Sequence, residues 1–411
     1  MRSTKLFVMM AATASLLAAC GGSTSSGSTK TGDPIIFGSA VSITGQQAKE
    51  GALTKQGYDL WLDWINQQGG IVVNGVKHPV QILYQDDQSK PDQSAILVQK
   101  LITEQKAQYI LGPYGSAASA TDAVVAEKNG IPMVEANGAA QAIFSKGYKF
   151  TFAVLSPANK YLTGVIDMAA SLSPKPTTLA MLSADDAFSL EVAKAVVDYA
   201  PTKGINVVFN QKYPNGSTDL SGVLSQAKAQ NPDILMNSGH LAEAIAINKA
   251  AKDLKLNAKI AAYSVGPSTP DFITALGNDA NYVYAGSQWT AQVKYSPTFY
   301  LSVKDYVAAY QKKYNSTDDP DYHVAESTAA CLAFQKALEN AGSLDPNKVR
   351  DALAALNVTT FAGVIRFDSR GVNIYKPMVV EQIQNGKHFT VYPADVANGK
   401  AMYPTPSWAS R

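Results

Sequence analysis

Gln108 to Gly130 reads QYILGPYGSAASATDAVVAEKNG. Tyr109-Ile110-Leu111 is a short apolar run with the length of a buried parallel strand, and Gly112-Pro113 stops it. Tyr114-Gly115-Ser116 turns the chain. Ser116 or Ser119 is placed to cap the helix that follows, where Ala117, Ala120, Ala123, Val124 and Ala126 give a small apolar face. Strand, glycine turn and helix N-terminus in that order aim backbone N–H groups and serine hydroxyls at one spot beyond the carboxyl end of a sheet. Such a spot suits an anion such as a carboxylate. An ordinary βα turn with a serine cap has the same local sequence, so the stretch argues for strand and helix more strongly than for a ligand.

The same rhythm extends in both directions. Ile35 to Ala40 predicts a strand, Gly51 to Gln68 a helix ended by Gly69-Gly70, Val80 to Tyr84 a strand running into Asp86-Asp87, and Ser94 to Gln105 a helix. Ile131 to Val134 is a fourth strand. Near Phe150 to Pro157 the alternation restarts, with strands at Thr178–Ser183, Ile205–Phe209, Ile234–Asn237, Ile260–Tyr263 and Tyr282–Ala285. Helices at Leu190–Tyr199, Leu220–Ala229 and Leu241–Leu254 separate them. Short strands alternating with helices imply parallel sheets covered on both faces, here two of them without a sequence repeat. After Pro297 the pattern changes to three helical stretches, Thr298–Tyr314, Val324–Asn340 and Asn347–Leu356. Strands then follow at Val364–Phe367 and Val379–Ile383, and Asn385-Gly386 signals a hairpin before His388–Tyr392. A helical block placed after the second sheet requires the chain to cross between domains more than once.

The chain has 411 residues, and its first 32 read as something other than fold. Arg2 and Lys5 precede a short apolar segment, Leu6 to Leu17, and Leu17-Ala18-Ala19-Cys20 ends it, as in a secretory signal too short to span a bilayer. LAAC also resembles the bacterial lipobox, whose cysteine is lipidated and becomes the new N-terminus. Gly21 to Gly32, GGSTSSGSTKTG, is then a flexible tether. Loss of residues 1–19 removes two basic residues and no acid. Thirty-three of each sign remain, with net charge zero, so a nucleic-acid or other polyanion partner is not expected. No later apolar run is long enough to cross a membrane. With Cys20 lipidated, Cys331 has no disulfide partner and reads as a small buried residue in a helix. About 380 residues exceed what one core serves, so two domains are expected.

Catalytic chemistry finds little support. Asp86-Asp87 and Asp185-Asp186 are adjacent carboxylates at strand ends, and His78, His240, His323 and His388 are the only histidines. There is no His-Glu-x-x-His, Gly-x-Ser-x-Gly, phosphate loop or paired-cysteine motif. No enzyme activity, metal or cofactor is expected.

Several segments, in order and spacing, resemble the type I periplasmic solute-binding proteins of the branched-chain amino acid (leucine/isoleucine/valine-binding) branch. They are SITG at Ser42–Gly45, INQQGGI at Ile65–Ile71, YQDDQSKPDQSA at Tyr84–Ala95, YILGPYGSAAS at Tyr109–Ser119 and GIPMVEANG at Gly130–Gly138. ALENAGSLDPNKVRDAL at Ala337–Leu353 and FAGVIRFDSRGVN at Phe361–Asn373 continue the match. The resemblance covers about residues 34 to 395. It implies an α/β fold of two Rossmann-like lobes with parallel-rich sheets, three interlobe crossings and a ligand held in the cleft. The expected division is a lipoprotein signal peptide (1–19), lipidated Cys20 and tether (20–32), and an N-terminal lobe of 33–155 plus 290–360. A C-terminal lobe of 156–289 plus 361–395 and a tail of 396–411 complete it. It further implies an extracytoplasmic, membrane-anchored, monomeric binder that delivers a small solute to an ABC permease and ATPase; a sensor signalling through a membrane partner shares the fold.

The resemblance also implies site residues. The ligand carboxylate is expected at Tyr114, Gly115, Ser116 and Ala117, with Asn137, Gly138 and Ala139 as the second contact of that lobe. Phe188 and His240 face it from the other lobe, together with the loop from Tyr263 to Pro267. Tyr114, Phe188, Tyr263 and Trp289 are candidates for an aromatic box, although lone aromatics also serve cores. Two departures stand out. Ala139 replaces the threonine usual in amino acid binders. Tyr263-Ser264-Val265-Gly266 has no carboxylate where an acid meets the α-ammonium, unless Asp185 or Asp186 substitutes. A buried ammonium without a counter-charge is costly, so an aliphatic or aromatic acid, an amide or a urea-like solute fits as well as an amino acid.

Overall fold

A computed structural model describes residues 30–411; the expected signal peptide, Cys20 and most of the expected tether lie outside the described residues. The last tether residues are not free: the Lys77 N–H donates to the Lys30 carbonyl and the Gly32 N–H to the Lys77 carbonyl, both at 2.8 Å.

The first lobe opens with β1 (Ile35–Val41), α1 (Ala48–Gln67) and a small hairpin, β2 (Ile71–Val73) and β3 (Val76–His78). It continues with β4 (Val80–Asp86), α2 (Pro91–Thr103), β5 (Tyr109–Leu111), α3 (Ser116–Asn129), β6 (Met133–Glu135) and β7 (Thr151–Ala153). Its parallel sheet runs β4-β1-β5-β6-β7. The second lobe begins with α4 (Thr163–Ser171), β8 (Thr178–Ala184), α5 (Ala187–Tyr199), β9 (Asn206–Tyr213) and α6 (Ser221–Ala229). It proceeds through β10 (Ile234–Ser238), α7 (Leu241–Asp253), β11 (Ile260–Tyr263), α8 (Pro270–Leu276) and β12 (Val283–Ser287). The chain then forms α9 (Val303–Tyr314), α10 (Tyr322–Ala341), α11 (Pro346–Ala354) and the pair β13 (Asn357–Thr360) and β14 (Gly363–Arg366). It ends with β15 (Val379–Gln384) and β16 (Lys387–Tyr392).

The second sheet runs β9-β8-β10-β11-β12-β15-β16, with only the last two strands antiparallel. Read from β4 and from β9, both sheets use the order second-first-third-fourth-fifth. The carboxyl ends of their central strands, where ligands collect in such sheets, therefore face each other across a cleft.

Small residues position the helical block. Gly57 of α1 lies where α10 crosses: a Cβ there would stand 2.2 Å from the Val324 carbonyl oxygen. Ala325, Ala329, Ala330, Ala333 and Ala337 give α10 a low profile, and Cys331 is buried among them as a free thiol. Trp61 Nε1 donates to Gln335 Oε1 at 3.0 Å. The helix expected from Thr298 starts only at Val303, because the Ser302 hydroxyl caps it by accepting from the Asp305 N–H, while the Thr298 N–H donates to Thr359. α4 and α8 were not expected; α8 follows a Thr269 cap and starts at Pro270.

Three crossings lie side by side. The Ser156 N–H donates to Gln288 Oε1 and Gln288 Nε2 donates to the Ser156 carbonyl, both at 2.9 Å; the Ser156 hydroxyl donates to the Lys376 carbonyl at 2.6 Å. Residues 371–373, grouped by sequence with the second lobe, join the edge of the first sheet instead. Val372 bridges Ala153, and the Ala153 N–H donates to the Gly371 carbonyl at 2.8 Å. The tail packs on the second lobe, with Trp408 Nε1 donating to the Leu256 carbonyl at 2.8 Å. Among the described residues no helix is long and apolar enough to cross a membrane.

Candidate functional site

The loop after β5 holds Gly115 at φ 86°, a left-handed backbone that favours glycine, and this turns Ser116 into the first turn of α3. Ser116 Oγ accepts from the backbone N–H groups of Ala139 and Ala140 at 3.1 and 3.0 Å. Both lone pairs are thus used, and the hydroxyl proton is left to donate. Gly138 is required by close packing: a Cβ there would lie 2.2 Å from Ser119 Oγ.

Tyr114 reaches across the cleft. Its hydroxyl lies 2.8 Å from His240 Nδ1, and His240 Nε2 lies 3.4 Å from Asp186 Oδ2. Asp186 is already the cap of α5, accepting from the Ser189 N–H at 2.9 Å and its hydroxyl at 2.8 Å. Burial alone would lower the His240 pKa. The bond to Asp186 and the charges of Asp186, Glu243 and Glu50 outweigh it and raise His240 to about 9. At neutral pH His240 is an imidazolium, its Nδ1–H donating to Tyr114 and freeing the phenol proton to donate elsewhere. Burial likewise would raise Asp186, but its bonds to His240 and Ser189 hold it below the usual carboxylate range.

Tyr114, Ser116 and His240 line a cavity with Gly115, Asn137, Tyr161, Phe188, Val265, Tyr322 and His323. Asn137 Nδ2 donates to Thr54 and Ser327 hydroxyls at 3.0 Å, while Asn137 Oδ1 is buried without a partner among the described residues. His323 Nδ1 is held by Asp321 Oδ1 at 2.7 Å and its Nε2 is likewise unpartnered. Phe188 packs edge-on against Tyr161 with ring centroids 4.9 Å apart. No carboxylate is among the lining side chains.

The lobes are shut on this space. Its open volume is about 10 Å³, room for one water. The Leu241 N–H donates to Glu50 Oε1 at 3.1 Å, the Gln141 side chain donates to Glu191 at 2.9 Å, and Lys49 pairs with Asp271 at 2.8 Å, all across the cleft. A solute enters only when the Tyr114–His240 bond opens.

Of the residues singled out from sequence, Tyr114, Ser116, Asn137, Phe188 and His240 line this cavity together. Ala139 stands behind it, giving its N–H to Ser116; Gly138 faces Ser119; Ala117 is exposed on α3. Tyr263 is in the second-lobe core, edge-on to Phe272 and bonded to Asn248 at 3.3 Å. Val265, two residues on, takes the cavity position. Trp289 donates from Nε1 to the Phe361 carbonyl at 3.0 Å and packs on Tyr306 and Phe361, outside this cavity. Asp185 is an exposed partner of Lys212 at 2.8 Å. Tyr161, Tyr322 and His323 were not anticipated; the Asp-Tyr-His run at the start of α10 carried a cap signal only.

A family model described as "Periplasmic binding protein" matches residues 34–387. The chain belongs to that family. This periplasmic binding protein is 25% identical over 389 residues to Leu/Ile/Val-binding protein homolog 8 of Brucella abortus, covering 90% of this chain and 93% of that protein. Its fold matches the branched-chain amino acid transporter substrate-binding protein LivJ of Streptococcus pneumoniae, solved with isoleucine. The TM-score is 0.78 and the identity 20%, covering 88% of this chain and all of the other. It also matches an ABC transporter solute-binding protein of R. palustris solved with 4-hydroxybenzoate. That TM-score is 0.75 and the identity 21%, covering 92% and 99%. As a periplasmic binding protein it works outside the cytoplasm and binds a small molecule.

Proposed function

We propose that this protein is the solute-binding component of an ABC importer and that its solute is a small carboxylate without an ammonium group, an aromatic or short aliphatic acid. The observation that carries the reading is the cavity's chemistry: an imidazolium at His240, a free proton on Ser116, aromatic walls, and no carboxylate. An anion gains charge-assisted bonds there, while an α-ammonium would be buried without a counter-charge at a cost of several kcal/mol. Of the carboxylates around the cavity, Asp186 is committed to the α5 cap and to His240, and Glu50, whose carboxyl burial pushes up toward the neutral form, accepts from the Leu241 N–H across the cleft. The acid replaces the mutual contact of Tyr114 and His240, accepting from both and from Ser116, while its apolar part lies on Phe188, Tyr161 and Val265. The loaded protein passes the solute to a permease and ATPase, held at the membrane by a lipid on Cys20.

Calorimetry with benzoate, 4-methyl-2-oxopentanoate and leucine tests this. The two acids are expected to bind at least tenfold more tightly than leucine, and Ser116→Ala to weaken them by about 1–2 kcal/mol. Tight leucine binding that collapses in Asp186→Asn would overturn the reading and restore an amino acid as the solute.

A further inference from the structure

Beside the cleft, and sharing only Tyr322 with the cavity just described, lies a larger chamber of about 320 Å³. Its walls come from the loop before α10, the start of α8 and the β15–β16 hairpin. Glu381 projects into it from β15. That side chain is 8% exposed. The nearby Ser287 hydroxyl is committed to the Trp289 carbonyl at 2.8 Å. Two buried polar atoms of the lining are without partners: Asp321 Oδ2, whose other oxygen takes the His323 N–H and ring, and Ser268 Oγ. Buried polar groups are ordinarily satisfied, so two such atoms beside the Glu381 carboxyl in one chamber point to something that fills it.

The sign of the missing partner follows from the charges. Asp318 and Asp319 stand exposed at the rim, with Asp321 and Glu381 deeper. Against these four acids stand Lys387, exposed at the rim, and His388. His388 Nε2 bonds the Pro267 carbonyl at 2.7 Å, and burial lowers its pKa, so it adds no charge at neutral pH. Burial, helped by the charges of Asp321 and Asp319, raises the Glu381 carboxyl to about 8, so with no cation beside it the group is mostly protonated at neutral pH, and an ammonium placed against it would draw it into its charged form. No three His, Cys, Asp or Glu among the described residues are grouped to hold a metal ion. The acids form two sets, one deep and one at the rim, with Ile273, Trp289 and Tyr322 among the walls.

We propose that this chamber is a second binding site, for a short aliphatic diamine. One ammonium is held by Glu381 and Asp321, the other by the rim aspartates, and the methylenes lie along the Ile273, Trp289 and Tyr322 wall. The Ser268 hydroxyl oxygen accepts a hydrogen bond from the inner ammonium.

Titration calorimetry of the full chain with 1,4-diaminobutane at neutral pH tests the site. One equivalent is expected to bind at submillimolar concentration. Glu381→Gln should weaken it about tenfold or more and Asp319→Asn less. Glu381→Gln keeps the side chain's shape, and the exposed Asp319→Asn serves if it does not fold. The affinity for benzoate should be unchanged in Glu381→Gln, so the fate of the acid-binding reading is measured separately. Absence of binding at millimolar diamine, undiminished binding in both variants, or equal binding of 1,4-butanediol would overturn the proposal.

Discussion

At His240 an imidazolium is held between Asp186 on its own lobe and Tyr114 on the other, which makes the closed protein sensitive to alkali. The folded pKa of about 9 lies above the ordinary 6.5. The stabilisation is therefore fully present below pH 6.5 and is lost as the pH rises through 9. Urea unfolding is expected to show a loss of roughly 3 kcal/mol between pH 6 and 10 that is absent in His240→Gln. Equal slopes in the two proteins would mean that His240 is not charged in the fold. The short apolar run before them places Tyr114 and Ser116 at a strand end, and the family resemblance places His240; the structure brings all three to one cavity. Tyr322 and His323 were not legible in the sequence, because they begin a helix made some two hundred residues after Tyr114, and nothing local ties that helix to the cleft. Tyr263 and Trp289 mislead in the opposite sense. Both are aromatics near strand ends, and one turns into the core while the other packs under Phe361.

At the scale of elements, α1 and α10 meet at a residue that a helix would otherwise avoid. Glycine inside a helix costs about 1 kcal/mol relative to alanine. Gly57→Ala would gain that propensity but place a methyl 2.2 Å from the Val324 carbonyl oxygen and 2.6 Å from Ser327 Cβ. Backbone does not yield as a side-chain tip does, so the clash wins and a net loss of about 1–3 kcal/mol is expected in urea unfolding. A more stable variant would show that α10 can shift on α1. The rhythm of strands and helices was readable because buried parallel strands are continuous apolar runs. The edges were less so: α8 is short and its Thr-Pro start was one cap signal among many. Residues 371–373 attach to the first sheet through backbone bonds that leave no mark on side-chain pattern.

For the whole molecule, three crossings set side by side make a hinge, and a solute bridging Ser116 and His240 favours the shut form. Small-angle scattering is expected to give a smaller radius with benzoate than without, and an unchanged profile at saturation would count against cleft binding. The placement of α10 has a different consequence, for the order in which the protein can be completed. Phe37, Trp61 and Tyr109 are covered by Phe334 and Gln335, and the Trp61–Gln335 bond spans 274 residues of chain. Every strand of the second lobe up to β12 emerges in between. The lobe that is synthesised first is therefore the one that must wait, one face of its central sheet covered by α1 alone until residue 340 has followed, while β8 to β12 find all their parallel partners among themselves. A chain that has to be threaded across a membrane before folding is served by such a delay: its N-terminal half stays incomplete, and so threadable, for nearly the whole of its synthesis.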